Sequence, residues 1–188
     1  MTTKIGRVQV DALYDQNGDP VLLPIPAAYS PVVQNYVHST GPGNTLTFAG
    51  LDVNAYGLMT VSFGFHLAVA GNISLYFNGD VTAADYRNRG SNTQEATLSV
   101  VNSSSSVIIQ SADANTGATG IAWFPKVSHG NYAKCLYQTG SVSSGPQFWH
   151  RAGTIILNAA PANITSISFV ATQNFQNGDH VLIMRSIA

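Results

Sequence analysis

The sequence predicts an all-β protein: a β-sandwich or closed barrel behind an extended, proline-rich N-terminal arm. Three observations carry this. Apolar residues come in short, often alternating runs, not at helical spacing. Links rich in Gly, Asn, Asp and Ser separate most of the runs, as in a fold of many short strands. Four prolines, Pro20, Pro24, Pro26 and Pro31, crowd the beginning of the chain, where they resist both helix and central strand.

Residues 1–42 read as the arm, with a strand near 5–14 and a hinge in STGPGN (39–44). Val21, Leu22, Leu23, Ile25 and Tyr29 lie among its prolines and would be exposed in water unless the arm docks on a partner. Residues 43–188 read as the sandwich. Its expected strands are TLTFAG (45–50), MTVSFGFHLAV (59–69), ISLYF (73–77), ATLSVV (96–101) and SVIIQS (106–111). GIAWF (120–124), YAKCLYQ (132–138), GTIILN (153–158), SISFVAT (166–172) and HVLIMRS (180–186) follow. One short helix is expected, VTAADYRNR (81–89), capped by Thr82 with Asp85 at its third position.

Composition narrows the function classes. The chain has 188 residues, enough for a core without disulfides or metals, and a formal net charge of −1. Only 9% of residues are charged, against about 25% in an ordinary soluble protein. No basic stripe suits nucleic acid and no polybasic patch suits anionic lipid. A polar, nearly uncharged surface gives little protection against self-association and suits faces covered by neighbours. No apolar run reaches membrane-spanning length, and no secretion signal is visible. Cys135 is the only cysteine and reads as a small buried apolar residue. Asn72, Asn102 and Asn163 match the glycosylation pattern by chance in an Asn- and Ser-rich chain.

The candidate sites are few. Asn-Gly-Asp occurs at 17–19, 78–80 and 177–179 and reads each time as a tight turn, because Asn and Gly tolerate positive φ. DQNGDP (15–20) alternates oxygen ligands like a calcium loop, but prolines stand where that loop needs its Gly and its Glu. Asp80, Asp85 and Glu95 show no pairing of the kind sugar hydrolysis requires. In that reading Asp80 closes a turn, Asp85 supports the helix, and Arg87 and Arg89 bridge to neighbouring loops. The five histidines show no metal-ligand spacing, and His66 reads as a strand residue inside a packed sheet. Trp149, His150 and Arg151 read either as an aromatic and cationic patch for a sugar ring or partner side chain, or as a wall of the core. No catalytic residue, metal site or cofactor is expected.

ISLYFNGDVTAADYRNRG (73–90) resembles a segment of tailed-bacteriophage structural proteins: a strand ending in Phe-Asn-(Gly/Asn)-Asp, then small residues and a Tyr. The matching residues are Phe77, Asn78, Gly79, Asp80 and Tyr86. NITSISFVATQNFQNGDHVLIM (163–184) is similar to the C-terminal strand pair of the same proteins, with FWHRAG between the two segments. The ending LIMRSIA departs from their usual Leu-Tyr-Gly. The resemblance implies a jelly-roll-like β-sandwich used as a virion module, a homotrimer with no catalytic residue. Asn78, Gly79, Asp80 and Tyr86 would form its structural turn. With the arm and the low charge it gives the expectation of a capsid-surface decoration or cement protein, bound to the major capsid protein or other virion proteins. The alternative is a tail-fibre or tail-tip module that binds a host glycan through Trp123, Tyr137, Phe148 and Trp149.

Overall fold

Two antiparallel sheets pack face to face. A computed structural model describes residues 31–37, 43–94, 97–103, 107–112, 116–127, 132–142, 148–158 and 163–186. The strands among them are β1 (Val32–Val37), β2 (Thr45–Ala49), β3 (Leu58–Leu67), β4 (Gly71–Phe77), β5 (Tyr86–Gln94) and β6 (Thr97–Ser103). They continue with β7 (Ile108–Ala112), β8 (Thr116–Pro125), β9 (Lys134–Val142), β10 (Phe148–Leu157), β11 (Ser166–Ala171) and β12 (His180–Arg185). The larger sheet runs β1-β12-β3-β8-β9-β10-β5-β6 and the smaller β2-β11-β4-β7. From β2 onward the chain alternates between them, with β5–β6 and β8–β10 as the stretches that stay in the large sheet. This crossing pattern makes the sandwich jelly-roll-like.

All ten expected strands coincide with observed ones. The period of two is plain where a strand has one buried face. In β9, Cys135, Tyr137, Thr139 and Ser141 point inward, while Lys134, Leu136, Gln138 and Val142 point out. The inward side chains of both sheets meet in one core. Phe63 and Phe65 of β3 lie 4.9 and 5.0 Å from the Phe169 ring of β11, and Phe175 extends the cluster. A second aromatic group, Phe77, Tyr86 and Phe124, joins β4, β5 and β8 at edge-to-face geometry. Cys135 is buried as expected, and burial pushes its thiol pKa up.

Two expectations are corrected. Residues 81–89 do not form a helix: a 3-10 turn, Ala83–Asp85, leads straight into β5. The Thr82 side chain makes no cap bond, and Asp80 Oδ1 accepts from the Thr82 N–H instead, at 2.9 Å. Tyr86 and Asn88 are buried while Arg87 and Arg89 are exposed, so a strand satisfies this alternation and a helix would not. The short helix lies elsewhere, at α1 (Val53–Tyr56), where Asp52 Oδ1 accepts from the Ala55 N–H at 3.0 Å. The second correction concerns the domain division: Val32–Val37, inside the expected arm of 1–42, pairs with β12 as a terminal strand of the large sheet. The rest of the arm, with Val21, Leu22, Leu23, Ile25, Tyr29 and the strand near 5–14, lies outside the described residues, as do the turn at 17–19 and Glu95.

Candidate functional site

The turn after β4 is built as expected. Asn78 has φ 55° and Gly79 φ 74°, the positive pair of a tight turn, and the Asp80 N–H donates to Phe77 O at 3.0 Å. The turn opens a crossing from the small sheet to the large one, so its side chains hold a corner instead of closing a hairpin. The Tyr86 hydroxyl reaches back into it. It accepts from the Phe77 N–H at 2.9 Å and donates its one proton to Asp80 O, at 2.8 Å the nearer of two carbonyls. Burial is the main cause raising the Tyr86 pKa, so the hydroxyl keeps the proton that this bond needs.

Asn78 is the hub. Its Oδ1 accepts from the Thr165 N–H at 2.8 Å and its Nδ2 donates to Asn163 O at 2.9 Å. The Asn163 side chain donates to Asp52 Oδ1 at 2.7 Å and accepts from the Asn54 N–H at 2.9 Å. Asn54 Oδ1 accepts from the Val127 N–H at 2.8 Å. The end of β4, the entry to β11, α1 and the segment after β8 are thereby tied through side-chain amides. Sequence reasoning found Asn78, Gly79, Asp80 and Tyr86 and missed Asp52, Asn54 and Asn163. Asp52 before a short run closed by Gly57 was the readable signal, an N-cap followed by a helix-ending glycine.

The other charges of 73–90 are not brought together into a reactive group. Asp85 is exposed in the 3-10 turn, and Arg87 and Arg89 are exposed on the outer face of β5. Among the described residues no group of three or more His, Cys, Asp or Glu is placed to hold a metal. The turn at 177–179 takes its positive φ at Gly178 alone, 91°. Its Asp179 is buried, with Oδ1 accepting from the His66 N–H at 2.7 Å. His66 is on a strand, but its side chain is exposed.

Trp149, His150 and Arg151 do not form one patch. Neighbours on a strand face opposite ways. Trp149 and Arg151 stand beside Ser141 and Thr139 on the inner side, whereas His150 faces outward and meets Gln138, ring Nε2 to amide Nε2, at 3.1 Å. The inner pair belongs to a polar layer between the sheets. There the side chains of Asn88, Thr139 and Ser141 donate to the carbonyls of Ile108, Ile109 and Ser111 at 3.0, 2.8 and 2.9 Å, covering the edge of β7. Burial lowers the Arg151 pKa, and its Nη2 donates to Ser111 Oγ at 3.3 Å. Asn92 Oδ1, Gln110 Oε1, Trp149 Nε1 and Arg151 Nε are buried without a hydrogen-bond partner.

The outer face carries a shallow groove of about 520 Å³, lined by hydroxyl and amide side chains and two histidines together with Phe63, Ile121 and two glycines. His180, Gly64, Thr119, Gly140 and His150 follow one another across five strands. His180 sits over Gly64, where a Cβ would come within 2.4 Å of its ring. Of the aromatics expected at a glycan, Tyr137 is buried in the core and Trp123 is half-buried on the outer face. No protein-family model, no curated protein and no solved structure matches the chain.

Proposed function

We propose that this is a bacteriophage virion structural protein, a decoration or cement protein on the capsid surface. It docks through its N-terminal arm on the major capsid protein or other virion proteins, assembles as a homotrimer, and works without catalysis, cofactor, nucleic acid or membrane. One observation carries the reading. Phe77, Asn78, Gly79, Asp80 and Tyr86, which carry the resemblance to phage structural proteins, are the residues that build the corner. In this chain the residues of the resemblance serve the crossing between two sheets, a structural role and not a reaction, which is what supports the reading.

A second reading is a tail module that binds a host glycan. The outer-face groove supports it, because the side chains of Ser62, Thr119 and Gln138 offer neutral donors and acceptors there and His150 adds an imidazole. An image reconstruction of particles carrying the protein separates the two. Density at capsid three-fold axes or between capsomers is the expected result. Density at the tail alone favours the glycan reading, and absence of the protein from purified particles overturns both.

A further inference from the structure

The two ends of the large sheet are differently finished. At one end β1 packs Tyr36 edge-to-face on Phe48, 5.6 Å between ring centroids, and Gln34 Nε2 donates to Ala49 O at 2.8 Å. At the other end β6 hydrogen-bonds to β5 on one side, and among the described residues no strand pairs with its other edge. Among the described residues the smaller sheet packs chiefly elsewhere, with β7 against β8, β9 and β10. Leu98, Ser99 and Val100 are all exposed, although successive residues face opposite ways. Leu98 at 69% and Val100 at 82% are the most exposed large apolar side chains described. The strand, TLSVVNS, has no charge and no proline, the usual guards of a bare edge.

We propose that the edge of β6 that no described strand covers accepts a strand from the arm of a neighbouring copy, residues 5–14, so that copies join head to tail. This rests on the reading of the N-terminal segment as an anchoring arm and adds to its docking on the shell a contact between residues 5–14 and a sister copy. An open edge offers alternating N–H and C=O groups that only another extended chain can satisfy in full. Val8 and Val10 have the two-residue spacing of Leu98 and Val100 and meet them on one face of the enlarged sheet. The chain length allows it. Residues 15–30 span up to roughly 50 Å when extended, whereas an eight-stranded sheet is about 34 Å wide. The arm joins the sheet at β1 and the bare edge is at β6, so donor and acceptor lie at opposite ends. A contact of that kind is heterologous, and in the homotrimer proposed above it would close into a ring of three.

Sedimentation of the purified full chain tests this without virus. The wild type is expected to run as a trimer. Leu98→Lys with Val100→Lys should reduce the mass about threefold, to the monomer, with an unchanged circular dichroism spectrum, because both side chains are exposed. Val8→Asp with Val10→Asp should give the same loss. A chain bearing Val10→Cys and Val100→Cys should form inter-chain disulfides on oxidation, while buried Cys135 stays unreacted. A monomeric wild type, an unchanged mass in the lysine variant, or disulfides formed only within one chain overturns the proposal. None of those results bears on whether the protein is found in particles, which the reconstruction decides separately.

Discussion

Two polar clusters in this sandwich use the same residue types with opposite completeness. At the corner, Asn78 and Asn163 each have both ends of the amide engaged, chiefly by backbone groups of segments far apart in sequence. In the layer under β7, Gln110 and Asn92 each leave the carbonyl oxygen unpaired, and Trp149 and Arg151 each leave a donor unpaired. A buried polar group without a partner costs about 1–3 kcal/mol. The corner therefore stabilises the fold, whereas the layer covers the β7 edge at a penalty. Amides work best where loops present stationary backbone groups, and worse where they must find one another between sheets.

The comparison is broken most directly at its hub. Asn78→Ala should cost about 3 kcal/mol, since it removes the bonds to residues 163 and 165 and leaves a residue with a Cβ at positive φ. Urea melts measure this, and Asn78→Gly should recover the backbone share alone. A smaller loss, about 2 kcal/mol, is expected for Tyr86→Phe, which strands the Phe77 N–H and the Asp80 carbonyl. Arg151→Met should change stability by less than about 1 kcal/mol in either direction, because it removes a partly buried charge that is incompletely bonded. A loss as large as that of Asn78→Ala would erase the contrast between the clusters. The smallest effect is the response to acid at α1. The Ala55 N–H first, and the Asn163 amide second, hold the Asp52 pKa below its ordinary value. A carboxylate lowered in the folded state contributes stability above its unfolded pKa and loses it as pH falls through the folded one. Asp52→Asn should therefore flatten the acid limb of the melting-temperature profile.

The strands were legible because a half-buried strand writes its period of two into the sequence, and the turn at Asn78 because few residue types tolerate its backbone. The stretch 81–89 misleads because Thr82 and Asp85 look like the start of a helix, whereas the buried Tyr86 and Asn88 and exposed Arg87 and Arg89 have the alternation of a strand. The network around Asn163 was hidden for another reason. Its partners come from separate loops, and no local pattern records which of many asparagines faces which backbone. Likewise, Trp149, His150 and Arg151 are adjacent in sequence, but a strand sends them to opposite faces.

The central claim is that the sandwich stands by itself and the segment before it makes the attachment. β1 moves the cut that tests this: a chain beginning at Gly43 would lose a terminal strand of the large sheet, whereas one beginning at Pro31 keeps every described strand. The measurement is incorporation of the Pro31 truncation into particles in competition with the full chain. The truncation is predicted to give the same strand-dominated circular dichroism spectrum and to be absent from particles. Incorporation equal to that of the full chain, or failure of the truncation to fold, would contradict the claim.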